Sequence, residues 1–468
     1  MFSFRTTPID KQTDNLFVKG GRIGALCNQT AWHPEYGEYL FEFLSKRYNL
    51  IRLFTPCEGF SLLPDLTASP RTAPSGSPAP AAFPAPAGSP AQTASPAPAG
   101  SSAAAGSSAA AGSSAAAAFL APAGSPAAAG SASLSAKYRE EEELLLTLSG
   151  RELEVHRLSG AGEGCWEDYS AELQDLDGLV IELQETGSRY CTYTSLIYNL
   201  FRYLKEQEMN LSIFLLDRVN PAGRQVEGTL MRAGYRSEIG LEGLPHRHGL
   251  TIGELALYLY EELHARFPLH IISYRAQDVN RHLMPWSIPP AAAYCGLFTP
   301  YFYSGQALWC GTNVSPGIGT ARPFEQFGAP FLKSLADYNM RHSLESWNAP
   351  DNPLYDPSLY LRRTAFVPAF GNYAGELCYG FQLLPNVNMQ YHALNHNLKI
   401  MRFIAENSTD FAMDSLPLYL GDRELMDFVR GENSPDDLRE HIKVEEQKWI
   451  KKAKRALLYP EEQLFRIK

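Results

Sequence analysis

Between Leu211 and Leu257 an apolar run, LSIFLL (211–216), breaks into DRVNPAGRQVEG (217–228), and PHRHG (245–249) then leads into LTIGELAL (250–257). A run of that length, bounded by turn residues, reads as a strand buried on both faces. Asp217, Arg218 and Asn220 follow it directly, and Pro221 stops the ladder. Thr251-Ile-Gly-Glu254 then opens a helix as a capping box. Glu227, His246, Arg247 and His248 load the intervening loop with more polar chemistry than a connection requires. Ligands of open α/β sheets sit beyond the carboxyl ends of strands, so this loop marks a site.

Outward from that stretch the first half alternates. Strands are expected at 22–27, 50–54, 154–158, 178–183 and 270–274, with helices at 36–47, 192–208 and 251–266. The alternation predicts an α/β domain, a mostly parallel sheet with helices on both faces, built from 1–66 and 137–275. Residues 67–136 form an insertion of Ala, Pro, Ser and Gly without a charge between Arg71 and Lys137, a composition expected to be disordered. From 276 to 468 aromatics, Pro and Gly replace the alternation, and a smaller α+β domain is expected, with short strands at 365–370 and 378–383. Ser434, Pro435 and Asp437 begin a long C-terminal helix as N-cap, N1 and N3.

Bulk properties narrow the function. Excluding the insertion, about 400 of the 468 residues can build cores. A net charge of -10 and the lack of a basic, aromatic-interleaved stripe argue against a nucleic-acid partner. No apolar run reaches the ~20 residues of a membrane span, and the N-terminus lacks the apolar stretch of a secretory signal. Seven cysteines without a CxxC pair fit reduced thiols in the cytoplasm. No metal and no cofactor is expected, since the HxH of His246 and His248 has no evident supporting acid.

Polar strings follow apolar runs at GALCNQT, FTPCEGF, IELQETGSRYCTY, LLDRVNP and CGTNVSPGIGTARPFE, and four of them end strands of the first domain. Their tips are expected to meet on one rim, as a pocket for something rich in hydroxyls or charges. Glu182 sits inside a strand, where a carboxylate either faces a partner such as Arg189 or Arg218 or points into a cleft. Asp217 either binds a ligand or bridges to a neighbouring loop amide; Glu254 is read as the capping-box acid.

These strings, in this order, resemble the exo-β-N-acetylmuramidase family of glycoside hydrolases, from GRIGALCNQT through PHRHGLTIGELA to the final ALLYP. The resemblance implies a Rossmann-like domain, a smaller second domain and a cleft between them. It also implies removal of non-reducing terminal N-acetylmuramic acid from peptidoglycan fragments, as in cell wall recycling. The expected partner is a muramic-acid-containing sugar or muropeptide fragment, with a homodimer as the assembly. Asn28, Arg189, Tyr193, Asp217, Arg218, Asn220, Glu227, Arg247, His248 and Asn313 sit where the family pattern has the same residue, and are the expected sugar-binding set. The chain departs from the pattern at its acids. The family's PEHG is Pro56-Cys57-Glu58-Gly59 here, the acid before GTN is Cys310, and the acids of DIQD are Glu182 and Glu185. Glycoside hydrolysis usually needs a proton donor and a second carboxylate. Glu58 is therefore the expected general acid, with Glu182 or Glu185 as partner. A sugar-binding pseudoenzyme of the same fold is the alternative.

Overall fold

The computed structural model describes residues 20–33, 36–56, 153–158, 160–273, 288–296, 298–341, 347–386 and 389–459. The insertion at 67–136 and the turn carrying Cys57 and Glu58 lie outside the described residues. The first unit runs through β1 (Arg22–Cys27), β2 (Trp32–His33), β3 (Glu38–Tyr39), α1 (Leu40–Arg47), β4 (Asn49–Thr55), β5 (Glu154–Arg157), α2 (Ser170–Gln174), β6 (Gly178–Glu182), α3 (Thr192–Glu206), β7 (Ser212–Leu216), α4 (Ile252–Glu262) and β8 (Leu269–Ile272).

Six of these strands form one sheet in the order β5-β4-β1-β6-β7-β8, every pair parallel. The chain starts in the middle, steps outward to one edge, then returns to fill the other side. That is the doubly wound arrangement, and its switch point lies between β1 and β6. Each strand's alternation feeds two cores. Leu26, Phe54, Leu179, Ile181 and Ile213 meet Leu196, Leu200 and Leu204 of α3 on one face. Ile23, Ala25, Cys27, Val180 and Phe214 meet Phe41, Phe43 and Leu44 of α1 on the other.

The helix expected at 36–47 starts only at Leu40, because Glu38–Tyr39 pairs with Trp32–His33 as a small antiparallel ladder. Tyr39 then caps α1, its N–H donating to Glu42 Oε2 at 2.7 Å. The helix expected to reach 266 stops at Glu262, and His264 takes a left-handed φ of 49°.

The second, smaller unit contains α5 (Thr299–Gln306), β9 (Gln326–Ala329), α6 (Lys333–Arg341), β10 (Leu359–Phe366), β11 (Cys378–Pro385), α7 (Ala393–Asn407), α8 (Leu416–Leu420), α9 (Arg423–Val429) and α10 (Pro435–Ala453). Its antiparallel sheet has the order β10-β11-β9. The strand expected at 365–370 begins earlier, because Leu359 and Leu361 alternate inward against exposed Tyr360 and Arg362. Trp309 stacks on Phe327 at 4.7 Å and Trp347 on Phe381 at 4.2 Å within this core.

The last helix closes the molecule back onto the first unit. Trp449 packs with Val226, Leu244, Leu255 and Leu259, and its Nε1 donates to the His248 carbonyl at 2.8 Å. At the far end Ser434 accepts from Asp437 N–H at 3.1 Å, and Asp437 returns a bond to Ser434 N–H. Ser434→Ala is expected to cost about 1 kcal/mol, read as a lower urea midpoint at unchanged slope.

Candidate active site

Because all six strands run the same way, their carboxyl ends share one edge. Asn28 follows β1, residues 183–189 follow β6, and Asp217 to Asn220 follow β7. Cys27 and Glu182 face each other in the ladder, so the switch point opens directly on Glu182.

Glu182 takes the partner alternative. Its side chain is 1 % exposed, with Oε1 2.6 Å from Arg218 Nη1 and Oε2 2.9 Å from His33 Nε2. Burial works against the charge, but His33 and Arg218 outweigh it and hold the carboxyl below its usual range. Glu182 is therefore an anion at neutral pH and cannot donate a proton. Arg218 also reaches the Thr30 carbonyl at 3.1 Å and Gln184 Oε1 at 3.2 Å, and is the most open of the three at 16 %.

Glu185 is buried to the same degree as Glu182. Its Oε2 accepts from Gly187 N–H and lies 3.3 Å from His248 Nε2. His248 Nδ1 accepts the Leu250 N–H at 3.2 Å, which leaves Nε2 as the protonated nitrogen that donates to Glu185. The other oxygen, Glu185 Oε1, is buried without a hydrogen-bond partner. Gly187 permits this turn at φ +85°; a Cβ there would come 2.3 Å from Asn220 Oδ1.

Most of the expected sugar ligands are spent on the protein itself. Asp217 Oδ1 accepts from Arg218 N–H and Gly253 N–H, and Oδ2 from Thr251 and Tyr459 hydroxyls at 2.8 and 2.6 Å. It is the loop bridge that clamps the start of α4, and burial pushes its carboxyl up to about 6 despite these donors. Asn220 joins the Leu250 carbonyl to the Ala222 N–H. Arg189 is 0 % exposed and donates to the carbonyls of Thr229, Leu244, Tyr419 and Leu420, stapling the two units. Asn28 donates to the Tyr193 hydroxyl at 2.9 Å, and Tyr193 donates to the Pro290 carbonyl. Glu254 does more than cap α4: it pairs with both Nη atoms of Arg224.

Glu227 and Arg247 form a buried ion pair at 2.9 Å under the second unit. Glu227 Oε2 also accepts from the Ser304 hydroxyl of α5 at 2.6 Å and lies 3.9 Å from His392, which bonds Glu446 at 2.8 Å. Ser304, His392 and His33 were not among the expected residues; each meets its partner only through tertiary folding.

Desolvation opposes a charge on His392, but Glu227 and Glu446 prevail and raise it to about 9. An unfolded histidine titrates near 6.5. The folded chain thus holds this proton more tightly. Its stabilisation is complete below about pH 6.5 and is lost as pH rises through about 9. Wild type is expected to lose on the order of 2 kcal/mol across that window, and His392→Gln much less, by urea unfolding at each pH.

Asn313 belongs to the second unit, where it holds the Asp410 carbonyl and the Ala412 N–H at 2.7 and 2.9 Å. With Cys310, Thr312, Tyr373 and Asp414 it lines a cavity of about 330 Å³. Burial pushes the Cys310 thiol up to about 12, so it stays neutral. Glu58 lies outside the described residues. The strand leading to it, β4, ends at Thr55 on the shared rim, beside β1.

Comparison with known proteins adds to this geometry. Residues 146–291 match the family described as exo-beta-N-acetylmuramidase NamZ, N-terminal, and residues 301–459 match its C-terminal counterpart. The peptidoglycan beta-N-acetylmuramidase NamZ of Bacillus subtilis (strain 168) is 31% identical over 238 residues, 50% of this chain and 54% of that protein. The match thus spans about half the length of that relative. Crystal structures of two DUF1343 family proteins from Bacteroides fragilis NCTC 9343 superpose with TM-scores of 0.64 and 0.61 at 19% and 18% identity. They cover 97% and 96% of this chain and 97% of each neighbour, a likeness of fold.

Proposed function

Because the chain belongs to the exo-β-N-acetylmuramidase family, we propose that it is a glycoside hydrolase releasing non-reducing terminal N-acetylmuramic acid from peptidoglycan fragments. The observation that carries the reading is Glu185. A buried carboxylate oxygen without a donor is costly, and at the crevice edge of a doubly wound sheet it is met by a ligand hydroxyl or a water.

In this reading Glu58 protonates the leaving oxygen. Glu182, kept anionic by His33 and Arg218, supplies negative potential for the cationic character that develops at the anomeric carbon. Glu185, oriented by His248, accepts a hydrogen bond from the sugar or the attacking water. Asn28, Tyr193, Asp217, Asn220, Arg189, Glu227 and Arg247 serve by fixing the loops that form the rim, and Arg218 is the side chain offered to the sugar. Six free cysteines among the described residues fit the reducing cytoplasm as the place of action. No helix of the described residues is long and apolar enough to cross a membrane.

The alternative, a sugar-binding protein with impaired chemistry, draws on Cys310. A thiol titrating at about 12 cannot replace an acid there. Incubation with chromogenic glycosides of N-acetylmuramic acid and of N-acetylglucosamine decides between them. Release from the first and little from the second is expected; binding without release of either favours the alternative.

A further inference from the structure

On the outer strand of the parallel sheet, Glu154 and His156 of β5 stand two residues apart on one face, and Glu172 of α2 meets them there. One ligand atom from each of the three lies within 4.8 Å of the others. The histidine is firmly seated. Its ring stacks on Phe54 of β4 at 5.2 Å and packs against Tyr169 edge-on at 5.5 Å, and its side chain is 13 % exposed. Nε2 is buried without a hydrogen-bond partner, which is costly for an imidazole nitrogen. It lies 3.4 Å from Glu154 Oε1, in poor alignment for a hydrogen bond. Two donor atoms held about 2.1 Å from one tetrahedral zinc ion stand about 3.4 Å apart, the same separation. Arg52 takes the other oxygen, Glu154 Oε2, at 3.1 Å and Asp175 at 2.6 Å, which leaves Oε1 for the ring side. Arg22 is likewise paired with Asp175. Glu172 gives Arg52 only its backbone carbonyl, at 3.5 Å, and its carboxylate makes no hydrogen bond among the described residues.

We propose that Glu154, His156 and Glu172 form a site for one divalent transition cation of the zinc class. An imidazole nitrogen with two carboxylates suits zinc or manganese, whereas magnesium keeps to oxygen ligands. The ring proton sits on Nδ1, so that Nε2 presents its lone pair to the cation. Glu154 supplies Oε1, and the Glu172 carboxylate closes the third position by rotation of its side chain, with water completing the shell. The role is structural. A cation here ties the outer strand β5 to α2 and, through the Phe54 stack, steadies the rim end of β4, where Thr55 pairs with Arg157. Strands β4 and β1 stand between β5 and Glu182 on β6, so the inference is independent of the hydrolase reading.

The test is calorimetric titration of the full chain, stripped with a chelator, with zinc chloride. Wild type is expected to bind one equivalent and to keep it against an excess of magnesium. His156→Gln and Glu172→Gln are each expected to weaken binding at least about tenfold. His441→Gln, which removes a histidine placed between Asp422 and Glu424 in the second unit, is expected to leave it unchanged. Should His156→Gln fold poorly for want of the Phe54 stack, Glu172→Gln and nitrogen NMR of the His156 ring in wild type carry the test. Zinc is expected to shift Nε2 and to leave the proton on Nδ1. Lack of saturable binding, an Nε2 resonance unmoved by zinc, ready displacement by magnesium, or an affinity that follows His441 overturns the inference. So does an affinity that survives both His156→Gln and Glu172→Gln, which marks an adventitious ion only. The readout is binding, so a chain that binds zinc without cleaving glycosides faults the hydrolase reading alone, and a hydrolase that binds no zinc faults this inference alone.

Discussion

Arg247→Ala is expected to lower folding stability by about 3–5 kcal/mol, the largest single loss this structure predicts. The guanidinium is 1 % exposed and its partner Glu227 is 0 % exposed. Nη1 meets Glu227 Oε1 at 2.9 Å and Nη2 donates to the Ala222 carbonyl, while the backbones of the same two residues exchange hydrogen bonds at 3.0 Å. Removing the guanidinium takes away the carboxylate's one direct ion-pair contact beneath α5 and leaves it the Ser304 hydroxyl, with His392 at 3.9 Å. Chemical denaturation checks the loss. Arg247→Met combined with Glu227→Gln is expected to recover most of it, because the penalty lies in the buried charge that has lost its guanidinium. Full stability of Arg247→Ala with weakened sugar binding would instead make Arg247 a ligand.

The second large effect is catalytic. Glu58→Gln is expected to lower kcat/KM on a chromogenic N-acetylmuramic acid glycoside by about 10²–10⁴, the share typical of a positioned general acid. The proposal rests on elimination among the neighbours described. Glu182 is committed to two cations and held anionic, Glu185 shares Oε2 with Gly187 and His248, and Cys310 titrates at about 12. Glu58 follows three residues after Thr55, the last residue of β4 on the shared rim. Cys57→Ser is expected to leave the rate within a few-fold, whereas a collapse in that variant would point to thiol chemistry.

Much of the first unit was legible because its signals are local. The strand at 211–216 and the Thr251–Glu254 box are each written within a few residues, and each is present; β7 ends at Leu216, ahead of Pro221. The parallel order adds one further constraint, that strand tips share an edge, and this brought Asn28, Glu182, Asp217 and Asn220 to one rim. The roles of those residues were not written locally. Whether Asp217 offers its oxygens outward or to Gly253, Thr251 and Tyr459 depends on a residue 242 positions away. His33 meets Glu182 across 149 positions, and its own neighbours in sequence carry no sign of that pairing. In the second unit β10 was displaced because exposed Tyr360 and Arg362 interrupt the apolar pattern. The helix α7 was not among the expected elements, although Leu394, Leu398, Met401 and Ile404 recur at helical spacing on its buried side.

The most direct test of the account is digestion of a peptidoglycan fragment ending in N-acetylmuramic acid, with the products identified by mass spectrometry. The account predicts free N-acetylmuramic acid released from the non-reducing end, and release at least about a hundredfold slower when Glu58 is glutamine. An intact fragment, release of N-acetylglucosamine in its place, or undiminished release by the Glu58→Gln variant would contradict it.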